Sequence, residues 1–235
     1  MLRSVSILGL SVPVKPILVL VALYAGLWLA ARQARGRGLD GDHLWNAGFV
    51  AAAVTVVAAR LWYVAQYWQI YAQEPLQIFS PRPGTLAWIP GLVFGLAAGT
   101  VYLVRKRVPL AVAADCLAPG VLLGLAILSI ADFLAGDAFG APAAVPWAVD
   151  LWGARRHPVQ LYQAVALAVC VGIVLADRSP RAGHRAWLGL FLYALTRLVF
   201  DAFRGDSVIL AGGFRAEQMV AWVVVMVAGW GMSRE

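Results

Sequence analysis

Long apolar runs broken by short connections organise this chain. A helix needs about 20 predominantly apolar residues to cross bilayer hydrocarbon. Seven stretches meet that requirement, at roughly 14–32, 44–67, 86–104, 109–134, 158–177, 185–204 and 214–232. No ten-residue alternation of the kind a membrane barrel shows is present. The pattern predicts an all-α, polytopic membrane protein with about seven transmembrane helices. There is no internal repeat and no low-complexity linker, so residues 1–235 are expected to form a single integral membrane domain. The first run, Pro16–Ala31, is followed by arginines without a small-residue cleavage site, and reads as a membrane anchor rather than a signal peptide.

Composition strengthens this picture. The 235 residues are 62% hydrophobic and only 13% charged, with a mean hydropathy of +0.77, well outside the range of a soluble domain. The net charge of +7 could suggest nucleic acid, but its distribution has a simpler cause. Arg32, Arg35 and Arg37 fall in the first connection, Arg105, Lys106 and Arg107 in the third, and Arg178, Arg181 and Arg185 in the fifth. The second holds only Arg82. The positive-inside bias puts connections one, three and five in the cytoplasm, the N-terminus outside and the C-terminus inside. Arg155 and Arg156 in the fourth connection argue weakly against this. Cys116 and Cys170 lie within spans and read as packing residues. His43, His157 and His184 are scattered without metal-ligand spacing, so no metal is expected.

The ionisable residues are unevenly placed. Arg60, Asp132, Asp137, His157, Arg197, Asp201, Arg204 and Glu217 all fall toward the outer ends of spans or in outer loops. Burying one charge in a membrane is costly, and several at one depth suggest a shared hydrated cavity. Tyr193, Arg197, Asp201 and Arg204 are spaced by four, four and three, which keeps them on one helix face. Two readings stand for this stripe. One is an internal Arg197–Asp201 salt bridge with Arg204 snorkelling to the interface. The other is a pair of guanidinium forks facing an anionic headgroup. Arg60 lies about two turns below the end of its span, near Tyr63 and Tyr67. Tyr24, mid-span one, is either a packed aromatic or a site residue. His157-Pro158-Val159-Gln160-Leu161-Tyr162 opens the fifth span: Pro158 suits a first helical turn, and the polar residues serve either as cap and interface anchors or as a site.

These segments together resemble a known family. His157–Tyr162 resembles the HPxQLYE motif of prolipoprotein diacylglyceryl transferases. Ala58–Val64 resembles the family's GxRxGYV, and Glu74–Phe79 its NPLEIF. Asp115–Gly120 with Leu123-Gly124 resembles DxxAPGxxLG, and Asp132–Gly140 resembles NFxNGExxG. Arg197–Arg204 resembles RxxxExxR, and Gln218 fits a glutamine before the last span. The resemblance implies a seven-span enzyme of the bacterial inner membrane. Such an enzyme moves a diacylglyceryl group from phosphatidylglycerol, or another anionic phospholipid, to the lipobox cysteine thiol of a prolipoprotein signal peptide. It implies no cofactor, no metal and no nucleic-acid partner. The candidate catalytic residues are then His157, Arg197, Arg204 and Asp137. The candidate substrate contacts are Arg60, Asp132, Gly140, Gln160, Tyr162, Tyr193, Asp201 and Tyr24. The departures are specific. Pro90 aligns with a family histidine, Ser129 with a phosphate-contacting arginine, Asp132 and Ala135 with asparagines, and Gln163 with the glutamate closing HPxQLYE. They leave two alternatives: a non-catalytic paralogue that binds lipid or lipoprotein precursor, and a transferase acting on another headgroup or acceptor. With Pro90 in place of the family histidine, His157 is the only histidine expected on the outer side.

Overall fold

The computed structural model describes residues 4–7, 10–79, 84–210 and 215–234, with side chains from Pro13 onward. Arg82 and the first residue of the last expected span, Phe214, lie outside the described residues. Among the described residues, seven helices are long and apolar enough to cross a membrane. They are α1 (Val14–Arg35), α2 (Gly41–Gln66), α4 (Trp88–Arg105), α5 (Leu110–Ala135), α6 (Val159–Ala176), α7 (His184–Phe200) and α8 (Ala216–Arg234); a single turn, α3 (Trp68–Tyr71), follows α2. The protein is an all-α polytopic membrane protein, with helix ends within a few residues of the apolar runs. Two antiparallel hairpins accompany the helices: β1 (Ser4–Ile7) with β2 (Leu10–Pro13), and β3 (Val149–Leu151) with β4 (Ala154–Arg156).

The described residues divide into two compact units: one runs to Gln33 and resumes at Ala114, and the other covers Ala34–Ala113. In the first, α5, α6 and α7 share a core of Leu122, Ala126, Leu167, Cys170 and Val174, with Leu188, Leu192 and Tyr193 packed against it. Both cysteines are buried thiols, not joined in a disulfide. The α1 and α5 backbones cross at Gly26 and Gly120. A Cβ on Gly120 would sit 2.2 Å from the Gly26 carbonyl oxygen, so only glycine allows this approach. Helix α7 is capped from a distance. Gly183 at its N-cap has no side chain to offer, and fully buried Asp115 of α5 does so instead. Its carboxylate accepts the Gly183 and Ala186 N–H groups, each at 2.9 Å, satisfying donors that a helix start leaves open.

In the second unit α2 packs along α4. Gly91, Gly95 and Gly99 place one small residue per turn against Ala47, Ala51, Thr55 and Ala59, so the backbones meet closely. This is the membrane solution for helix contact, where apolar side chains gain nothing by leaving lipid. The same physics explains the exposed faces, where Val220, Val223 and Met226 of α8 are each more than 60% exposed. They are lipid-facing rather than unpacked.

Candidate active site

The stripe on the sixth span ends in a change of helix type. α7 stops at Phe200, and Asp201–Phe203 continues as a 3-10 turn. A 3-10 turn brings residues three apart to the same side, so Arg204 stays beside Asp201 although the α-helix has ended. Asp201 is 1% exposed. Arg197 Nη2 lies 3.0 Å from its Oδ2, and Arg204 Nε 4.0 Å from its Oδ1. The two guanidinium groups, about a quarter exposed, flank one buried carboxylate. Both readings of the stripe therefore hold part of the geometry: the internal ion pair exists, and each arginine keeps an accessible face. Arg204 also forms a fork with Asp206, Nε to Oδ1 at 3.0 Å and Nη2 to Oδ2 at 2.6 Å. Burial opposes the Arg204 charge, but the bonds to Asp206 and the charges of Asp206, Asp201 and Asp132 outweigh it and hold the guanidinium above its usual value.

The loop after α5 is tied to this stripe. Gly140 pairs with Arg204 in an isolated antiparallel bridge. A Cβ on Gly140 would lie 2.2 Å from the His157 carbonyl oxygen, which accounts for glycine there. Gln160, buried in the first turn of α6, donates to the Ala138 carbonyl. Gln163, where the resemblance expects a glutamate, donates to Thr196 Oγ1 at 2.8 Å. Arg215 Nη1 donates to the carbonyls of Asp201 and Arg204 at 2.6 and 2.5 Å, holding Arg215, just ahead of α8, to the 3-10 turn after α7. Gln218 donates to Leu198 O at 3.1 Å.

A cavity of about 60 Å³ sits among these groups, lined by Ser129, Asp132, Val159, Gln160, Gln163, Arg197, Asp201 and Arg204. An apolar groove of about 370 Å³ runs between α7 and α8, lined by Tyr193, Val220 and Val224, with Arg197 and Glu217 also on its wall. Arg197 thus borders both spaces. Its guanidinium can meet an anion in the polar cavity while its stem lies beside apolar surface, which suits an amphiphile. Ser129 Oγ donates to Leu125 O at 2.9 Å, as serines in membrane helices commonly do.

A lysine completes the set. Lys15 at the start of α1 lies 2.8 Å from Asp132 and 2.5 Å from Asp137, linking two candidate carboxylates. Its only sequence signal was a lysine at the end of the first span away from the Arg-rich connection. Arg156 is used structurally: it donates to Leu151 O at 3.1 Å and Gly140 O at 3.2 Å, and stacks 4.8 Å over Phe139. Arg155 donates to Val145 O and Pro146 O, both at 3.4 Å. His157 and Tyr162 stand together at the entrance to α6, with His157 Nδ1 3.2 Å from the Tyr162 hydroxyl. The His157 ring meets Phe203, next to Arg204, edge-on at 5.3 Å. Tyr24 is 64% exposed on α1 and is absent from the lining of both spaces.

Arg60 belongs to the other unit. Its Nε donates to Ile78 O at 2.8 Å, Nη2 to Gln77 O at 2.5 Å, and Nη1 to Thr85 O and Oγ1 at 3.1 and 2.5 Å. The guanidinium also lies 5.3 Å over the Tyr71 ring. Four of its five N–H groups hold the 3-10 turn Pro75–Phe79 and the segment before α4. Within its unit Arg60 is a clamp, which explains why so deep an arginine is stable. Among the described residues no group of three or more His, Cys, Asp or Glu is placed to hold a metal ion.

The sequence matches known proteins along nearly its whole length. The family described as prolipoprotein diacylglyceryl transferase matches residues 4–234. A phosphatidylglycerol–prolipoprotein diacylglyceryl transferase of Clostridioides difficile is 28% identical, covering 94% of this chain and 90% of its own length. The enzyme of that name from Thermosynechococcus vestitus is 29% identical over 93% of this chain and 86% of its own. That from Synechococcus elongatus is 30% identical over 89% and 78%. With a match running nearly end to end, the chain belongs to the prolipoprotein diacylglyceryl transferase family.

Proposed function

We propose that this protein transfers a diacylglyceryl group from phosphatidylglycerol, or a related anionic phospholipid, to the lipobox cysteine thiol of a prolipoprotein. We place it in the bacterial inner membrane as one membrane domain, with the arginine-bearing site on the outer side. The observation that carries the reading is the pair Arg197 and Arg204 around buried Asp201 in a polar cavity, with Arg197 also on the wall of an apolar groove. The reaction needs cations where phosphate departs and a proton acceptor near the thiol. Arg197 and Arg204 answer the first need. His157 is our candidate for the second, with Gln160 and Asp132 lining the cavity, Gly140 paired with Arg204 and Asp137 set by Lys15. The test combines purified protein in detergent or nanodiscs with phosphatidylglycerol and a lipobox peptide. The expected product is a thioether-lipidated peptide seen by mass spectrometry; folded protein giving none with any of several anionic lipids rejects the proposal.

One observation favours a second reading. Lys15, Arg197 and Arg204 each already hold a carboxylate, and the cavity presents Ser129 rather than a further cation. A protein that binds another headgroup, or binds without turnover, would tolerate this. Mass spectrometry of co-purifying lipids separates the readings: enrichment of phosphatidylglycerol supports transfer, and enrichment of another lipid supports the alternative.

A further inference from the structure

Trp147, Tyr162 and His157 form a hydrogen-bonded chain. Trp147 stands in the loop before β3, His157 just ahead of α6 and Tyr162 in its first turn. The Trp147 indole Nε1–H donates to the Tyr162 hydroxyl oxygen at 2.6 Å. That oxygen lies 3.2 Å from His157 Nδ1. An indole nitrogen can only donate, so the direction of the first bond is fixed. The phenol oxygen has one hydrogen of its own. With Trp147 supplying a hydrogen from one side, the phenolic hydrogen is best placed toward Nδ1. Nδ1 is then the acceptor, and the neutral imidazole carries its hydrogen on Nε2. Phe203 against the ring and Phe200 against Tyr162 hold both side chains, at centroid distances of 5.3 and 6.1 Å.

This tautomer restricts how His157 can act. Nε2 already bears a hydrogen and cannot take another. Nδ1 can, but the Tyr162 hydroxyl stands in front of it. Resting on the transferase reading above, we propose that Tyr162 is the proton relay between the lipobox thiol and His157, with Trp147 its positioning residue. The thiol proton passes to the Tyr162 oxygen as the phenolic proton passes to His157 Nδ1. Tyrosine leaves the step neutral and the imidazole becomes imidazolium. The cysteine sulfur forms a bond to the glyceryl carbon of the donor lipid. The bond from that carbon to the phosphate oxygen breaks, and its electron pair leaves on glycerol phosphate. The imidazolium returns its proton through Tyr162 to solvent or to the departing phosphate. Tyr162 is thus a catalytic residue, rather than only a contact.

Two measurements test this on the full-length protein in detergent. In ¹⁵N-histidine-labelled protein, with the His157 signals identified by their loss in His157→Gln, neutral His157 should show hydrogen on Nε2 and an accepting Nδ1. The Nδ1 signal should move in Tyr162→Phe, whereas hydrogen on Nδ1 overturns the relay. In the transfer assay, Tyr162→Phe should slow thioether formation about 10²–10⁴-fold, the range for loss of general-base catalysis. His157→Gln should do the same, and the double variant should be no slower than either, as for groups acting as a unit. Tyr162→Phe working at the wild-type rate overturns the relay while leaving the transferase reading intact. Wild-type protein that gives no product removes both. Should Tyr162→Phe not fold, Trp147→Phe keeps the phenol but frees its orientation. A smaller loss of rate with a mixed tautomer supports the relay; no change in either rejects it.

Discussion

Asp201 decides how the arginines at the site are arranged, and its burial sets the scale of what its loss would do. Removing one member of a buried pair costs about 3–5 kcal/mol, because the partner is left uncompensated. Arg197 and Arg204 are about a quarter exposed, so Asp201→Ala should fall near the lower end, about 3 kcal/mol, read as a lowered thermal midpoint in detergent. Lys15 is the contrast. Its pairs with Asp132 and Asp137 are more than a third exposed, where ion pairs contribute about 0–1 kcal/mol. Lys15→Met should leave stability nearly unchanged; a loss as large as that of Asp201→Ala would contradict the reading. Arg197→Ala and Arg204→Ala each remove a charge-assisted contact worth about 1.5–3 kcal/mol. Each should lower kcat/KM of the proposed transfer at least tenfold, and a wild-type value in both would remove them from the site. At this scale the sequence was partly legible. The four-four-three spacing places Tyr193, Arg197, Asp201 and Arg204 on one side, and the structure keeps Arg197, Asp201 and Arg204 together. Lys15 was not legible, because its partner Asp137 is 122 residues away and no local pattern encodes such a distance. Arg60 looked like a headgroup ligand for the reason that makes it a clamp: a deep arginine needs partners, and backbone carbonyls supply them.

Close backbone crossings at glycine and a remote cap fix helices in this protein, beside the apolar core shared by α5, α6 and α7. Asp115→Ala would leave the Gly183 and Ala186 N–H groups buried without acceptors, at about 1–3 kcal/mol each. It should lower the thermal midpoint and loosen α7, measured as faster hydrogen exchange in its first turn; unchanged exchange there would show that α7 needs no such cap. Gly120→Ala should destabilise by about 1–3 kcal/mol through overpacking, since the added carbon meets the α1 backbone. Gly172→Ala is the control, because a Cβ there meets nothing within 4 Å, and helix propensity favours it by about 0.5–1 kcal/mol. Equal effects from both substitutions would mean that the α1–α5 crossing is not close-packed. The seven long helices were legible because each is a run of the required apolar length. The β3–β4 hairpin was not. Its strands have three residues each, too few for an alternation to register, and its Trp152-Gly153 turn gives only a weak signal.

For the whole molecule, the basic connections predict orientation. Asp150→Cys should react with a membrane-impermeant thiol reagent added to intact cells, and Ala182→Cys only after lysis. The native thiols are buried and give little background. The opposite pattern would invert the proposed topology. Apolar length and charge asymmetry thus carry both the number of spans and an expected direction. The division of the described residues at Gln33 and Ala114 falls inside α1 and α5, where no change of composition marks it. The formal excess of seven positive charges is not spent at the site. There Lys15 faces Asp132 and Asp137, Arg197 faces Asp201, and Arg204 faces Asp201 and Asp206. Such a site works like an ion-exchange resin already loaded with its counter-ions. On the proposed transferase function, an arriving phosphate would be held by the difference between its own attraction and that of the carboxylate it displaces. Little field reaches beyond the cavity, so added salt should alter capture weakly. Selectivity then lies in which anion fits the guanidinium forks better than the resident acid, and a headgroup that brings its own cation can pair with the acid it sets free.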